Sequence, residues 1–315
     1  MAGFIARRLA QFIPVLLLAA IGVWVLVYAL PGDPASVLGG LQASPEQLAA
    51  IRERLGLDQP VWEQFATWLR HALTGDLGRS TSSGHPVTSL LADRVPATVQ
   101  LAVIAMVLVV LIAVPLGTVV ALAPRSPAGR VVKGYLSLSL AAPPFWLGLL
   151  LVLGFSVGLH ALPSAAQYVP LWTDPVAALR NSLLPAVALA VYAGSVLARF
   201  VATSLSEAME SEYVRTARAK GAGETVVVVR HALRNSLLPT LTVGALQLGS
   251  LLGGAVIIEV LFSYPGLGRL LYTAISDRDY AVLQGAVLFV VAVFLLLNLL
   301  VDVLYAVLDP RIRLR

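Results

Sequence analysis

The residues able to do chemistry are few and scattered. Four histidines, His71, His85, His160 and His231, stand apart from one another, and there is no cysteine, which excludes disulfides and thiolate metal sites. The chain holds no Gly-x-x-x-x-Gly-Lys-Ser/Thr phosphate loop, no His-Glu-x-x-His and no Gly-x-Ser-x-Gly. Without a nucleotide loop it cannot hydrolyse ATP itself. Ser137, Ser139, Ser195 and Ser250 lie in apolar runs, where a hydroxyl ordinarily bonds its own or a neighbouring helix. An intramembrane protease or lipid transferase would place a histidine or paired carboxylates beside such a serine. None of the histidines falls near the centre of an apolar run.

Charge within those runs is sparse and sits near their ends: Asp302 with Asn298 one turn earlier, Glu259, and Arg199. A charge at mid-bilayer costs about 2.5–3.5 kcal/mol on insertion scales, so terminal placement points to snorkelling or pairing. For Asp302 the readings are helix-end pairing with an inner arginine, or gating. No acidic or basic chain crosses the apolar core, which argues against a proton-driven pump.

The densest chemistry lies in a polar connection, residues 206–235. Glu207, Glu210 and Glu212 come first, then Arg215, Arg218 and Lys220, an order that suits the dipole of one helix closing at Gly221 and Gly223. The expected element is a helix, a sharp turn and a second helix. Ala217, Ala219, Gly221 and Ala222 are small enough to let another backbone approach. Such a connection reads as a docking surface for protein; the bland reading is an amphipathic connection lying on the lipid surface.

The elements that must hold this connection are set by hydropathy. Of 315 residues, 58% are hydrophobic and 12% charged, against roughly 25% charged in a soluble domain. Six apolar runs are long enough to cross a bilayer: 9–30, 96–123, 131–159, 183–205, 237–261 and 281–308. The first is too long for a signal-peptide core. With the N-terminus cytoplasmic, the inner segments carry Arg7 and Arg8; Arg125, Arg130 and Lys133; Arg215, Arg218, Lys220, Arg230 and Arg234; and Arg311, Arg313 and Arg315. The short outer loops carry Arg180, Arg269 and Arg278. That asymmetry places both termini in the cytoplasm. It also accounts for the net charge of +5 without nucleic acid. Pro143-Pro144 should kink or open the third run.

Residues 31–95 form a long outer excursion with its own order. Ser44, Pro45 and Gln47 predict a capping-box start, Gly56 a stop, and Pro60 to Leu73 a second helix ended by Gly75. Val61, Phe65, Trp68 and Leu69 recur at helical spacing, so this segment should pack onto the bundle, as a cap or as a dock for an outer partner.

The run EYVRTARAKGA at 212–222, continued by HALRNSLLP at 231–239, resembles the cytoplasmic "EAA" loop of ABC importer permeases. In that loop Glu-Ala-Ala is followed after three residues by Gly and later by Ile-x-Leu-Pro. Here Arg215, Thr216 and Ala217 stand at the Glu-Ala-Ala positions and Gly221 keeps its place, while the later residues are His231 to Arg234. These departures are those of the dipeptide/oligopeptide/nickel family. LPGDPA (30–35), LGLDQP (55–60), GDLGRS (75–80), VPAT (95–98), FSYPGLGR (262–269), DRDY (277–280), LLVD (299–302) and DPR (309–311) extend the resemblance over nearly the whole chain. It is similar to the first of the two permease subunits, the dipeptide/oligopeptide permease B type.

The resemblance implies an all-α integral membrane protein of six transmembrane helices with the type I ABC importer fold and an extracytoplasmic excursion between helices 1 and 2. Its parts would be a peripheral first helix (1–30), the excursion (31–95), a five-helix core (96–308) with its coupling loop at 206–235, and a cytoplasmic tail (309–315). It would be a permease subunit in the cytoplasmic membrane, not an enzyme, carrying peptides, with nickel chelates, glutathione or haem-like ligands as alternative cargo. The expected partners are a second, homologous permease subunit, two cytoplasmic ATPase subunits holding the ATP and Mg, an extracytoplasmic binding protein and the lipid bilayer. The chain itself would hold no cofactor. Arg215, Thr216, Ala217, Ala219, Gly221 and Ala222 would contact the ATPase. A passive channel would not need this folded loop.

Overall fold

Helices make up the protein wherever apolar runs and caps predict them. The computed structural model describes residues 2–29, 35, 39 and 43–308. Their helices are α1 (Ala2–Ala29), α2 (Pro45–Leu55), α3 (Val61–Leu73), α4 (Val87–Leu122), α5 (Pro127–Ala141) and α6 (Pro144–Leu151). α7 (Pro175–Met209), α8 (Glu212–Ala219), α9 (Arg234–Leu261), α10 (Leu267–Ser276) and α11 (Tyr280–Leu308) follow. Among the described residues the single β contact is an isolated Arg79–Pro86 bridge. Among the described residues five helices are long and apolar enough to cross a membrane, and α5 with α6 makes a sixth crossing if the two count as one span.

The third apolar run is not one helix. α5 and α6 meet at 106°, far beyond the expected kink. The residue before a proline is driven out of the α region, and Pro143-Pro144 imposes this twice in succession. Ala142 at ψ 125° and Pro143 at ψ 139° are both extended, and Pro144 then opens the new helix at its first position. α6 continues as a π-helix over Val152–Gly158.

The chain divides into two compact units. The first comprises residues 1–96 and 266–296. Its core gathers Val87, Leu91, Leu267, Ala274, Val282, Leu283 and Ala286. α2 begins and ends as its sequence dictates: the Ser44 hydroxyl accepts from the Gln47 amide, the Gln47 side chain accepts from the Ser44 amide, and Gly56 closes the helix at φ 66°. α3 packs Phe65 and Trp68 against Trp24 of α1, with ring centroids 5.8 and 5.6 Å apart.

Buried Asp279 ties two distant segments of this unit together. Its carboxylate accepts from the Ser80 hydroxyl at 2.5 Å and from the Ser82 hydroxyl at 2.9 Å and amide at 3.3 Å. The Val282 amide donates to its other oxygen at 3.2 Å. Burial pushes this carboxyl up, but the donors from Ser80, Thr81, Val282 and Ser82 outweigh burial and hold it below the usual carboxylate range.

The second unit comprises residues 97–265 and 297–315. α7 is its axis, the most deeply buried of the long apolar helices, and the core around it includes Leu101, Val109, Leu189, Leu197, Ile258 and Phe262. Gly117 of α4 fits where a Cβ would meet the Ala198 carbonyl at 2.7 Å, so α4 and α7 approach at backbone distance. Glu259, in the last turn of α9, is fully buried and accepts from the Thr98 hydroxyl at 2.7 Å. Gln100 holds the 169–171 segment, donating to the Val169 carbonyl and accepting from the Leu171 amide.

Candidate functional site

The connection at 206–235 folds as a small unit with its own core. α7 runs on to Met209, so Glu207 belongs to the long helix and not to the loop. Glu210 turns the chain, Ser211 opens α8 in an extended conformation, and Glu212 begins that helix. The one expected helix is therefore two: α7 stops at Met209, the Ser211 hydroxyl donates back to the Ala208 carbonyl, and α8 starts afresh at Glu212. Val227–Leu233 then forms a π-helix leading into α9. Val214 and Ala217 point inward and pack with Leu205, Val227 and Ala232.

The sequence-expected residues divide between two faces. Arg215, Thr216, Ala219 and Gly221 are exposed, whereas Ala217 is buried and Ala222 half-buried. Ala217 thus holds the loop together instead of lining its outer surface. Arg215 pairs with Glu212 at 2.8 Å, and the Thr216 hydroxyl donates to the Glu212 carbonyl at 2.9 Å. Gly221 has φ 80°, and a Cβ at this position would meet no atom within 4 Å, so conformation and not space demands glycine. Asp302 lies outside the described side chains, and residues 309–315 outside the described residues.

Across the Gly221 turn, Arg218 grips Glu224 through two bonds, Nε to Oε2 at 3.1 Å and Nη2 to Oε1 at 2.6 Å. This bidentate pair bridges the turn between α8 and the next helical segment. The hydrogen bond to Glu224 raises the Arg218 guanidinium, and the same bond holds the Glu224 carboxyl below its ordinary value. Sequence reasoning misses this clasp, since six residues across a turn is no helical spacing. Val214 and Ala217, three apart, share the inward face of α8.

Two open clefts of about 400 and 480 Å³ flank the end of α7 and share Thr203 and Glu207. The smaller also takes in Lys133, Ser206 and Glu210, and the larger Arg199 and Phe200. Lys133 donates to the Pro124 carbonyl at 3.1 Å, finishing the turn between α4 and α5. Among the described residues no three His, Cys, Asp or Glu side chains gather as metal ligands. The arrangement offers a charged surface of small residues on a loop that packs around its own small core.

Comparison with known proteins agrees with that geometry. The family model described as "Binding-protein-dependent transport system inner membrane component" matches residues 113–314, and the model of its N-terminal part matches residues 1–102. A Brucella abortus (strain 2308) protein that carries the name of a peptide transport system permease is 43% identical over 313 residues, 99% of each chain. The glutathione transport system permease protein GsiC of Salmonella typhi is 40% identical, again over 99% of both. Among solved structures, a chain of the inward-facing MetNI methionine ABC transporter shares the fold at TM-score 0.58 and 17% identity, covering 70% of this chain and 96% of that one. The chain belongs to the inner membrane components of binding-protein-dependent transport systems.

Proposed function

We propose that this chain is the first permease subunit of an ATP-driven importer whose cargo is a short peptide. What carries the reading is full-length identity of 43% to a protein named for peptide transport, with 40% to a glutathione permease as the second reading. Glutathione is itself a tripeptide, so both readings share one cargo chemistry. Family membership makes the chain a transport subunit without catalysis of its own.

On this reading α1 is a peripheral helix (residues 1–30), 31–95 an extracytoplasmic excursion, 96–308 a five-helix core and 309–315 a cytoplasmic tail, with both termini inside. A second, homologous permease subunit, two ATPase subunits and an extracytoplasmic binding protein complete the assembly. The exposed face of α8, Arg215, Thr216 and Ala219, seats on an ATPase. Val214 and Ala217 of α8 pack on Val227 and Ala232 and the Arg218–Glu224 pair bridges the turn, so a push on α8 is passed toward α9. ATP must bind the outward-facing state more tightly than the inward-facing one, or it shifts nothing.

Uptake of labelled dipeptides, longer peptides and glutathione, with and without the chain, tests the reading. Loss of peptide uptake on deletion is expected, with restoration by the plasmid-borne gene. If uptake of every one of these were unchanged, the cargo assignment would be wrong while family membership stood.

A further inference from the structure

α3 is amphipathic in two neighbouring apolar strips. Val61, Phe65 and Trp68 form the first, and it is occupied: Phe65 and Trp68 stack on Trp24 of α1. Trp62, Ala66, Leu69 and Leu73 form the second, at i, i+4, i+7 and i+11. There Trp62 is 71% and Leu73 81% exposed. Glu63, Thr67 and Arg70 take the far side of the helix.

The depth of this bare strip is fixed by α1. Residues Arg7–Ala29 are long and apolar enough to cross a membrane and are little buried, with Ile21, Val25, Leu26 and Tyr28 exposed. A helix so apolar and so uncovered has hydrocarbon around it. Trp24 lies five residues before its end at Ala29, about 7.5 Å along the axis at the α-helical rise. α3 is therefore clamped where acyl chains give way to headgroups, the level that indole rings favour.

We propose that α3 is an interfacial helix whose second strip, Trp62, Leu69 and Leu73, enters the headgroup–acyl boundary of the membrane leaflet at which α1 ends. The apolar strip continues the lipid-facing surface of α1, while Glu63, Thr67 and Arg70 remain in water. An in-plane helix of this kind gains affinity in proportion to the apolar area it sinks. It would hold the connection between α1 and α4 flat against the bilayer. This holds whatever the cargo.

The native chain has no cysteine, so nitroxides can be placed singly at Trp62→Cys, Leu73→Cys, Glu63→Cys and Thr67→Cys in the full chain. Each variant is reconstituted, with the subunits that co-purify with it, into phosphatidylethanolamine/phosphatidylglycerol vesicles. Collision with dissolved oxygen is compared with collision with a water-soluble nickel chelate. The oxygen-to-nickel ratio should be several-fold higher at 62 and 73 than at 63 and 67. Equal ratios would put the strip in water, and protection from both reagents at 62 and 73 would put a protein partner there; either overturns the proposal. A second measurement avoids the label: Trp62→Phe should remove part of the tryptophan emission that brominated lipids quench, and undiminished quenching counts against it.

Discussion

Gly221 sits at φ 80° in open space, so replacing it tests backbone strain alone. Gly221→Val should cost about 1–3 kcal/mol at the turn, and Gly221→Asn much less, since asparagine tolerates the left-handed region. Both should insert normally, with ATPase stimulation and uptake impaired in the valine variant and near wild type in the asparagine one. Asp279 permits a test of pH. Its folded carboxyl titrates below the ordinary range, so its stabilisation is complete above the unfolded value and is lost as pH falls through the folded one. Protease cleavage within 79–86 should therefore rise on acidification below the ordinary carboxylate range. Asp279→Ala removes the charged acceptor shared by the Ser80 and Ser82 hydroxyls at a cost of about 1–3 kcal/mol and should make that cleavage independent of pH. A cleavage profile that keeps its acid-dependent rise in the variant would remove Asp279 as its cause.

At the scale of elements, α8 has an inner and an outer face, and substitutions on each should fail differently. Ala217→Glu forces a charge into the cluster of Leu205, Val214, Val227 and Ala232, so the loop itself should loosen. Limited proteolysis between 210 and 226 would report this. Ala219→Trp leaves that core intact and alters only the exposed face. It should keep the wild-type proteolytic pattern while uncoupling ATP hydrolysis from uptake or releasing the ATPase. Intact coupling in Ala219→Trp would take α8 out of the contact. What the sequence made legible here was local: the Ser44 capping box, the Gly56 and Gly221 turns and the apolar runs each depend on residues a few positions apart. The Asp279–Ser80 tie spans 199 positions and the Thr98–Glu259 contact 161, so no spacing rule reaches them. The inward turn of Ala217 was hidden for a different reason. A small residue suits a crowded core and a docking face equally, and only its packing decides.

For the whole molecule, sidedness hinges on the 106° bend between α5 and α6. If the bent pair crosses the bilayer, the chain has six spans, the turns at 123–126 and 220–223 share a side, and both ends of the chain lie on it. If the pair re-enters and leaves on the side from which it came, the chain crosses five times and those turns face opposite compartments. Charge favours the crossing. Arg125, Arg130 and Lys133 stand at the first turn and Arg215, Arg218, Lys220, Arg230 and Arg234 about the second, a surplus that belongs on the cytoplasmic side. Three exposed positions separate the two topologies without disturbing a cap or an ion pair: Asp58→Cys, Arg125→Cys and Thr225→Cys. An impermeant maleimide added to intact spheroplasts should label position 58 alone, and 125 and 225 only after permeabilisation. Labelling of 225 but not 125 in intact cells would make α5 and α6 re-entrant. The loop at 206–235 would then face away from any cytoplasmic ATPase, and the proposed seating of α8 would fall with it.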